Sequence, residues 1–262
     1  MQDFSLSTLF RLPVYPERPL HTGNIHLEVP YMSKRNKLQK FAEVLQFPNV
    51  YENYNPKDPR LLGENGVLAD LTGKWASNHF KNTRPITLEL ACGRGEYALG
   101  LSRLFPERNF IGVDIKGARI WQGAKIALEE GLTHIAFLRT RIEQISLFFT
   151  PGEISEIWIT FPDPFPQNGK ANRRLTAPAF LDIYKSLLPA GGYIHLKTDD
   201  PGLFEFSVET VASYPGARIE FQHDDIYALP ELPYPELAIK TYYERQHLAA
   251  GKTIKYLRFQ LH

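Results

Sequence analysis

A single cysteine, Cys92, among 262 residues excludes an internal disulfide and points to a reducing compartment, the cytoplasm. No four cysteines and histidines fall at zinc spacing, and the 8 histidines are scattered with none paired as ligands, so no metal is expected. No apolar run approaches the ~20 residues of a membrane span. The opening residues, MQDFSLSTLFRLPVYPERP, lack the basic start and long apolar stretch of a secretory signal. A soluble protein away from the membrane is therefore expected. Charge of one sign is lacking too: the net charge is +1, so a nucleic-acid partner would need a local basic face. What is present is a 43% hydrophobic chain, long enough for one large domain or one domain with an extension. Nothing in the sequence decides between a monomer and a homodimer.

Residues 1–30 carry prolines at 13, 16, 19 and 30 and no apolar period, which predicts an extended arm. KRNKLQKFAEVLQF (34–47) sets Leu38, Phe41, Ala42 and Leu45 at helical spacing, predicting a short amphipathic helix. Its other face holds Lys34, Arg35, Lys37 and Lys40, either a solvated face or a nucleic-acid contact. Residues 48–66 read as loop. From residue 84 strands and helices alternate. ITLEL, NFIGVD, HIAFLR, ISEIWITF, YIHLKT, ARIEFQH and the tail KTIKYLRFQL read as strands, with helical stretches between most of them. The expectation is an α/β, Rossmann-like fold over 81–262, a seven-stranded and mostly parallel sheet with helices on both faces. Residues 1–80 would form an N-terminal arm and basic helix.

LELACGRGEY (88–97) lies between a strand and a helix. Gly93 and Gly95 allow a sharp turn and close approach of a ligand to the backbone, and Asp114 ends the next strand, where a carboxylate meets ribose hydroxyls. A purely structural turn is the plainer reading. A dinucleotide is disfavoured, because Glu96 at the helix start and Glu89 before the turn are poor neighbours for a pyrophosphate. An acidic turn suits S-adenosylmethionine, which is cationic and carries no phosphate. Cys92 reads as a small residue filling the bend.

After the ISEIWITF strand comes TFPDPFPQNGKANRR (160–174). Pro162, Pro164 and Pro166 rule out a helix or central strand and fix Asp163 at a strand end. There it would share a crevice with the glycine turn and Asp114. Phe165 offers a flat surface for a base, and Lys170, Arg173 and Arg174 suit phosphates. The alternative is a rigid turn with an exposed acid. Asp199 alone reads equally as a helix cap, and Glu244 alone as a surface acid. Lys240, Arg245, Lys252, Lys255 and Arg258 gather near the C-terminal end of the chain as a possible basic rim.

PDPFPQNGKANRR resembles the PDPWPKKRHxKRR signature of the bacterial tRNA (guanine-N7-)-methyltransferase family. LELACGRGEY is similar to its first motif, E-x-G-x-G-x-G. IHLKTDDPGLFEF and TYYERQHLAAGKTIKYLRF resemble its TD-containing strand and its C-terminal T-x-[FY]-E segment. The resemblance spans roughly residues 33–262. It implies a class I S-adenosylmethionine-dependent enzyme that methylates N7 of a guanine in the tRNA variable loop, position 46. By motif, Glu89, Gly93, Gly95 and Asp114 would hold the cofactor, with Arg141 and Ile142 where the family places a turn near adenine. Asp163 would be the catalytic acid. Gln167, Asp199, Thr241 and Glu244 would lie at the substrate guanosine, and Lys170, Arg173 and Arg174 at RNA phosphates. The chain departs from the family pattern in four places. Ala91 stands for the first glycine, Phe165 for tryptophan, Gln167 for lysine, and Arg141-Ile142 for an acidic or Asn-containing turn. An NAD-dependent oxidoreductase and a tRNA-binding relative with impaired catalysis are the competing readings.

Overall fold

A computed structural model describes residues 36–262. The expected arm over 1–30, with Lys34 and Arg35, lies outside the described residues. The described residues form one compact unit.

Five strands run parallel in the middle of the sheet: β4 (Ile86–Leu90), β5 (Asn109–Asp114), β6 (Ile135–Arg139), β7 (Ile154–Thr160) and β8 (Gly192–Thr198). They are short apolar runs, buried on both faces, as strands covered by helices must be. β9 (Ala217–His223) and β10 (Lys255–Leu261) complete the seven expected strands. β10 lies antiparallel between β8 and β9. Three further strands extend the other edge: β1 (Val50–Glu52), parallel to β6, then β2 (Leu61–Leu62) and β3 (Leu68–Ala69). The sheet thus has ten strands in the order β3-β2-β1-β6-β5-β4-β7-β8-β10-β9. Residues 48–66 are therefore not all loop. Strands of two or three residues are too short to show alternation, and they form because Val50 and Leu61 are buried against the sheet edge.

α2 (Glu96–Leu104) and α3 (Gly117–Glu129) cover one face, and α4 (Pro178–Leu187) and α5 (Pro201–Ser213) the other. Alternation along β4 divides its side chains between these two faces. Leu88 and Leu90 join the core under α4 and α5, whereas Glu89 points to the opposite face and meets α2.

α1 (Lys37–Val44) is a helix as expected, but its packed edge differs. Val44 is fully buried, whereas Leu38 is 79% exposed and Leu45 39%. Two turns can lay only a narrow edge on α3, and Phe41 with Val44 supplies it. The edge is fixed by Trp121 Nε1 donating to Glu43 Oε2 at 2.7 Å. The Lys40 ammonium lies 4.8 Å from the Trp121 ring, and the Arg139 guanidinium 4.7 Å from Phe41. Among the described residues no helix is long and apolar enough to cross a membrane.

Candidate active site

Parallel strands deliver their carboxyl ends to one edge, so the segments after β4, β5, β6, β7 and β8 converge there. Residues 91–95 form the first. Ala91, Gly93 and Gly95 all have positive φ, at 58°, 55° and 70°. The two glycines differ in purpose. A Cβ on Gly95 would sit 2.5 Å from the Phe137 ring, so that glycine serves packing inside the fold. At Gly93 the nearest atom to a Cβ would be Ala91 O at 4.0 Å, so the backbone there has open space beside it, in a small recess that Gly93 lines. Gly95 departs from its expected place at the cofactor: its amide is bonded to Cys92 O at 2.8 Å and it faces the core.

Asp114 ends β5 with both oxygens engaged: Oδ2 accepts from Gly93 N at 2.9 Å and Oδ1 from Lys116 N at 2.8 Å. These bonds fix the carboxylate at the wall of a cleft of about 250 Å³. Ile115, 41% exposed directly after it, and Ile142 supply apolar wall, and Arg141 lines the same cleft. Ile115 lines the cleft although no sequence motif marks it; its one local signal is a large apolar residue directly after a strand-ending acid.

Glu89 is buried beneath the start of α2. Its Oε2 accepts from Ala98 N at 2.8 Å and its Oε1 from Thr160 Oγ1 at 2.6 Å. Burial outweighs these bonds and pushes its pKa up to about 8. A second, smaller recess contains Glu89, Gly93, Glu96, Thr160, Thr241 and Tyr243. Ala91, Arg119 and Phe161 line both recesses, so the two adjoin. Cys92 is buried and burial raises its thiol pKa, which fits a packing role.

The segment after β7 is strained on both sides of Asp163. Phe161 has φ 47° and Phe165 φ 43°, conformations that cost about 1–3 kcal/mol each for such residues. Phe161 is held by its amide on Lys197 O at 2.8 Å. Arg174 holds the far side, donating to Pro164 O and Phe165 O at 3.1–3.3 Å. Asp163 itself is exposed at the larger cleft, and its carboxylate has no hydrogen-bond or ionic partner among the described residues. Arg174 departs from the expected phosphate role: it is 8% exposed, with its guanidinium turned in on the loop and 4.5 Å from the Phe206 ring. Arg173 does reach outward, 4.8 Å over Phe165, with Lys170 and Gln167 exposed beside it.

The α5 cap is Asp200, whose Oδ1 accepts from Leu203 N at 2.7 Å, so Asp199 is not the cap. Asp199 instead pairs with Lys252 at 2.5 Å and His247 at 3.4 Å, and His247 stacks on Phe161 at 6.0 Å. α6 (Tyr242–Ala249) is capped by Thr241, whose Oγ1 accepts from Glu244 N at 3.2 Å. Glu244 departs from its expected place at the guanosine. It is fully buried, paired with the equally buried Lys197 at 2.7 Å and bonded by Tyr227 OH at 2.7 Å. Two residues of the expected basic rim are also spent within the protein. Lys255 Nζ donates to Thr253 Oγ1 at 2.6 Å, and Arg258 lies between Tyr193 and Tyr234 at 3.7 and 4.5 Å. Both sit on β10, an inner strand, whereas Lys240, Arg245 and Lys252 remain exposed.

These donors fit a nucleoside cofactor and not a pyrophosphate. The carboxylate of Asp114 suits a ribose diol and the isoleucine walls suit adenine. The amides a phosphate would need are taken by acids: Gly93 N by Asp114 and Ala98 N by Glu89. Fold and cleft together define a class I S-adenosylmethionine-dependent methyltransferase. Among solved structures the fold is similar to that of the 16S rRNA methyltransferase KamB (TM-score 0.56, 12% identity, 77% of this chain and 98% of that one). It also matches a 16S rRNA (adenine(1408)-N(1))-methyltransferase from Catenulisporales acidiphilia with cosubstrate SAM (TM-score 0.51, 15% identity, 74% and 93%). A family model described as a putative methyltransferase matches residues 83–257. Proteins named tRNA (guanine-N(7)-)-methyltransferase match at much higher identity. Those of Bacteroides fragilis and Porphyromonas gingivalis are 47% and 50% identical, over 87% and 86% of this chain and 86% of each relative. That of Christiangramia forsetii is 45% identical over 88% of this chain and all of its own length. The chain belongs to the tRNA (guanine-N7-)-methyltransferase family.

Proposed function

We propose that the protein methylates N7 of a guanine in the tRNA variable loop, position 46, using S-adenosylmethionine. The observation that carries the reading is Asp163: a carboxylate without a partner among the described residues, on a strained, braced loop at the mouth of a nucleoside-shaped cleft. S-adenosylmethionine supplies an electrophilic methyl group. Guanine N7 has an in-plane lone pair and no proton, so no residue is needed to deprotonate it. The task left to the chain is to place the base in line and to set negative potential beside a ring that gains positive charge. Asp163 does both, since accepting from the N1–H and N2–H2 edge also places its charge beside the ring. Asp114 and the open backbone at Gly93 hold the cofactor, with Ile115 and Ile142 beside its adenine and Glu89 beneath.

Asp199 and Thr241 border the place where the guanine enters. Arg173 and Lys170 contact the RNA backbone, with Gln167 beside them at the substrate guanosine. Glu244 acts through the position of α6. The base leaves its stack to reach Asp163, as bases do in other base-modifying enzymes. A cytoplasmic location follows from a tRNA substrate and the single cysteine. The test is incubation of unmodified tRNA with labelled methyl donor, followed by nucleoside analysis. Label in 7-methylguanosine supports the reading; label in another nucleoside, or none, overturns it.

A further inference from the structure

Two large aromatic rings stand in the open on the first turn of α6, where no core needs them. Tyr242 is 39% exposed and Tyr243 41%, and their rings meet edge to face at 5.6 Å and 77°. The Arg94 guanidinium, from the glycine turn, lies 4.8 Å from the Tyr242 ring and 6.0 Å from that of Tyr243. Tyr243 also lines the smaller recess with Thr160 and Phe161, which puts one ring of the pair at the site's edge. Tyr242 runs along the helix, its hydroxyl accepting from Gln246 Nε2 at 2.8 Å.

The rings rest on a rigid base. The Tyr242 amide donates to Glu96 Oε2 at 2.6 Å, Thr241 caps the helix, and Glu244, one residue on, is locked to Lys197. Exposed Lys240 and Arg245 flank the pair, and Arg245 Nη1 donates to Lys240 O. Preorganised aromatic faces, a planar guanidinium and surrounding cations suit unstacked nucleobases on a phosphate backbone.

We propose that Tyr242, Tyr243 and Arg94 form a stacking platform for the unpaired tRNA bases next to the target guanine. The inference rests on the functional reading above and adds to it a second contact of different physics. When the guanine leaves its stack, its neighbours lose a partner, and the tyrosine faces replace it. Stacking releases no counterions, so this contact contributes affinity without salt dependence.

The test uses an unmodified tRNA transcript with the fluorescent base 2-aminopurine beside the target guanine. Binding is titrated at several salt concentrations for the parent, Tyr242→Ala/Tyr243→Ala and Tyr242→Phe/Tyr243→Phe. The alanine pair is expected to weaken tRNA binding about ten-fold or more, on the scale of losing a base–aromatic stack, while leaving the slope of log affinity against log salt unchanged. The quenching of 2-aminopurine on binding should vanish with alanine and persist with phenylalanine, which keeps the ring and loses the hydroxyl. Parent-like melting of the phenylalanine pair secures the comparison if the alanine pair folds poorly. Equal affinity and quenching in parent and alanine pair overturn the platform, as does loss of quenching in the phenylalanine pair. A parent enzyme that leaves the transcript unmethylated overturns instead the functional reading on which the platform stands.

Discussion

Lys197 and Glu244 form an ion pair at 2.7 Å with both side chains fully buried. Lys197 Nζ also donates to Leu237 O at 3.1 Å and Ile239 O at 3.0 Å, so three segments meet at one ammonium. The pair ties β8, just before Asp199, to α6 itself, and the two carbonyl bonds tie it to the residues leading into that helix. Among the described residues Glu244 Oε2 has no hydrogen-bond partner, so the carboxylate there depends on Lys197 and Tyr227.

Removing one member should leave an uncompensated buried charge. Lys197→Met is expected to cost about 3–5 kcal/mol of stability, and the double change Lys197→Met/Glu244→Leu much less. Urea denaturation of the set checks this. A double variant as unstable as the single one would mean that the charges are not what holds α6.

Glu89 gives a dependence on pH. Burial raises its pKa from 4.5 to about 8, so the native chain holds a proton that the unfolded chain releases between those values. Its contribution to stability is therefore fully present below pH 4.5 and is lost as pH rises through about 8. Glu89→Gln should flatten this decline in melting temperature of the cofactor-free protein. It should also weaken S-adenosylmethionine binding, by roughly 1–3 kcal/mol at pH values where the acid is ionised. Parallel melting curves for parent and variant across this range would refute the assignment.

Ala91 bears a Cβ in the left-handed region, at φ 58°. That conformation costs about 1–2 kcal/mol in an L-residue, and glycine returns part of the gain through the entropy of the unfolded chain. Ala91→Gly is expected to stabilise the protein by roughly 0.5–1 kcal/mol, read as a higher denaturation midpoint. A lower midpoint would show that the methyl group packs more usefully than the strain costs.

The two adjacent arginines should separate. Arg173→Ala is expected to reduce the salt slope of tRNA affinity by about 0.7–0.9, the value of one phosphate contact. Arg174→Ala should leave that slope alone and slow methylation, because it unbraces the loop that carries Asp163. Interchanged effects would place Arg174 on the RNA.

Asp163→Asn keeps the size of the side chain and removes its charge. Methylation under single-turnover conditions with saturating tRNA is expected to fall at least ~10²-fold, the scale of one preorganised electrostatic contact. Cofactor affinity and melting temperature should hardly change, since the carboxylate has no hydrogen-bond or ionic partner among the described residues. A near-parental rate would reduce the strained loop to scaffolding.

The sequence by itself determined the seven main strands and the segments that converge at their ends, because strand runs bounded by glycine and proline are local signals. Asp114, Asp163 and the glycine turn were legible for that reason. Tertiary structure alone decided which polar groups are free. Glu244 reads locally as a surface acid and is buried, because Lys197, 47 positions earlier, neutralises it across the fold. Arg173 and Arg174 are alike in sequence, yet one faces solvent and the other bonds to Pro164 and Phe165, because successive residues point in different directions. Gly93 and Gly95 look equivalent until Phe137 is seen against the second. Whether a charge serves a ligand or the fold depends on its partners, and those partners come from residues far away in the chain.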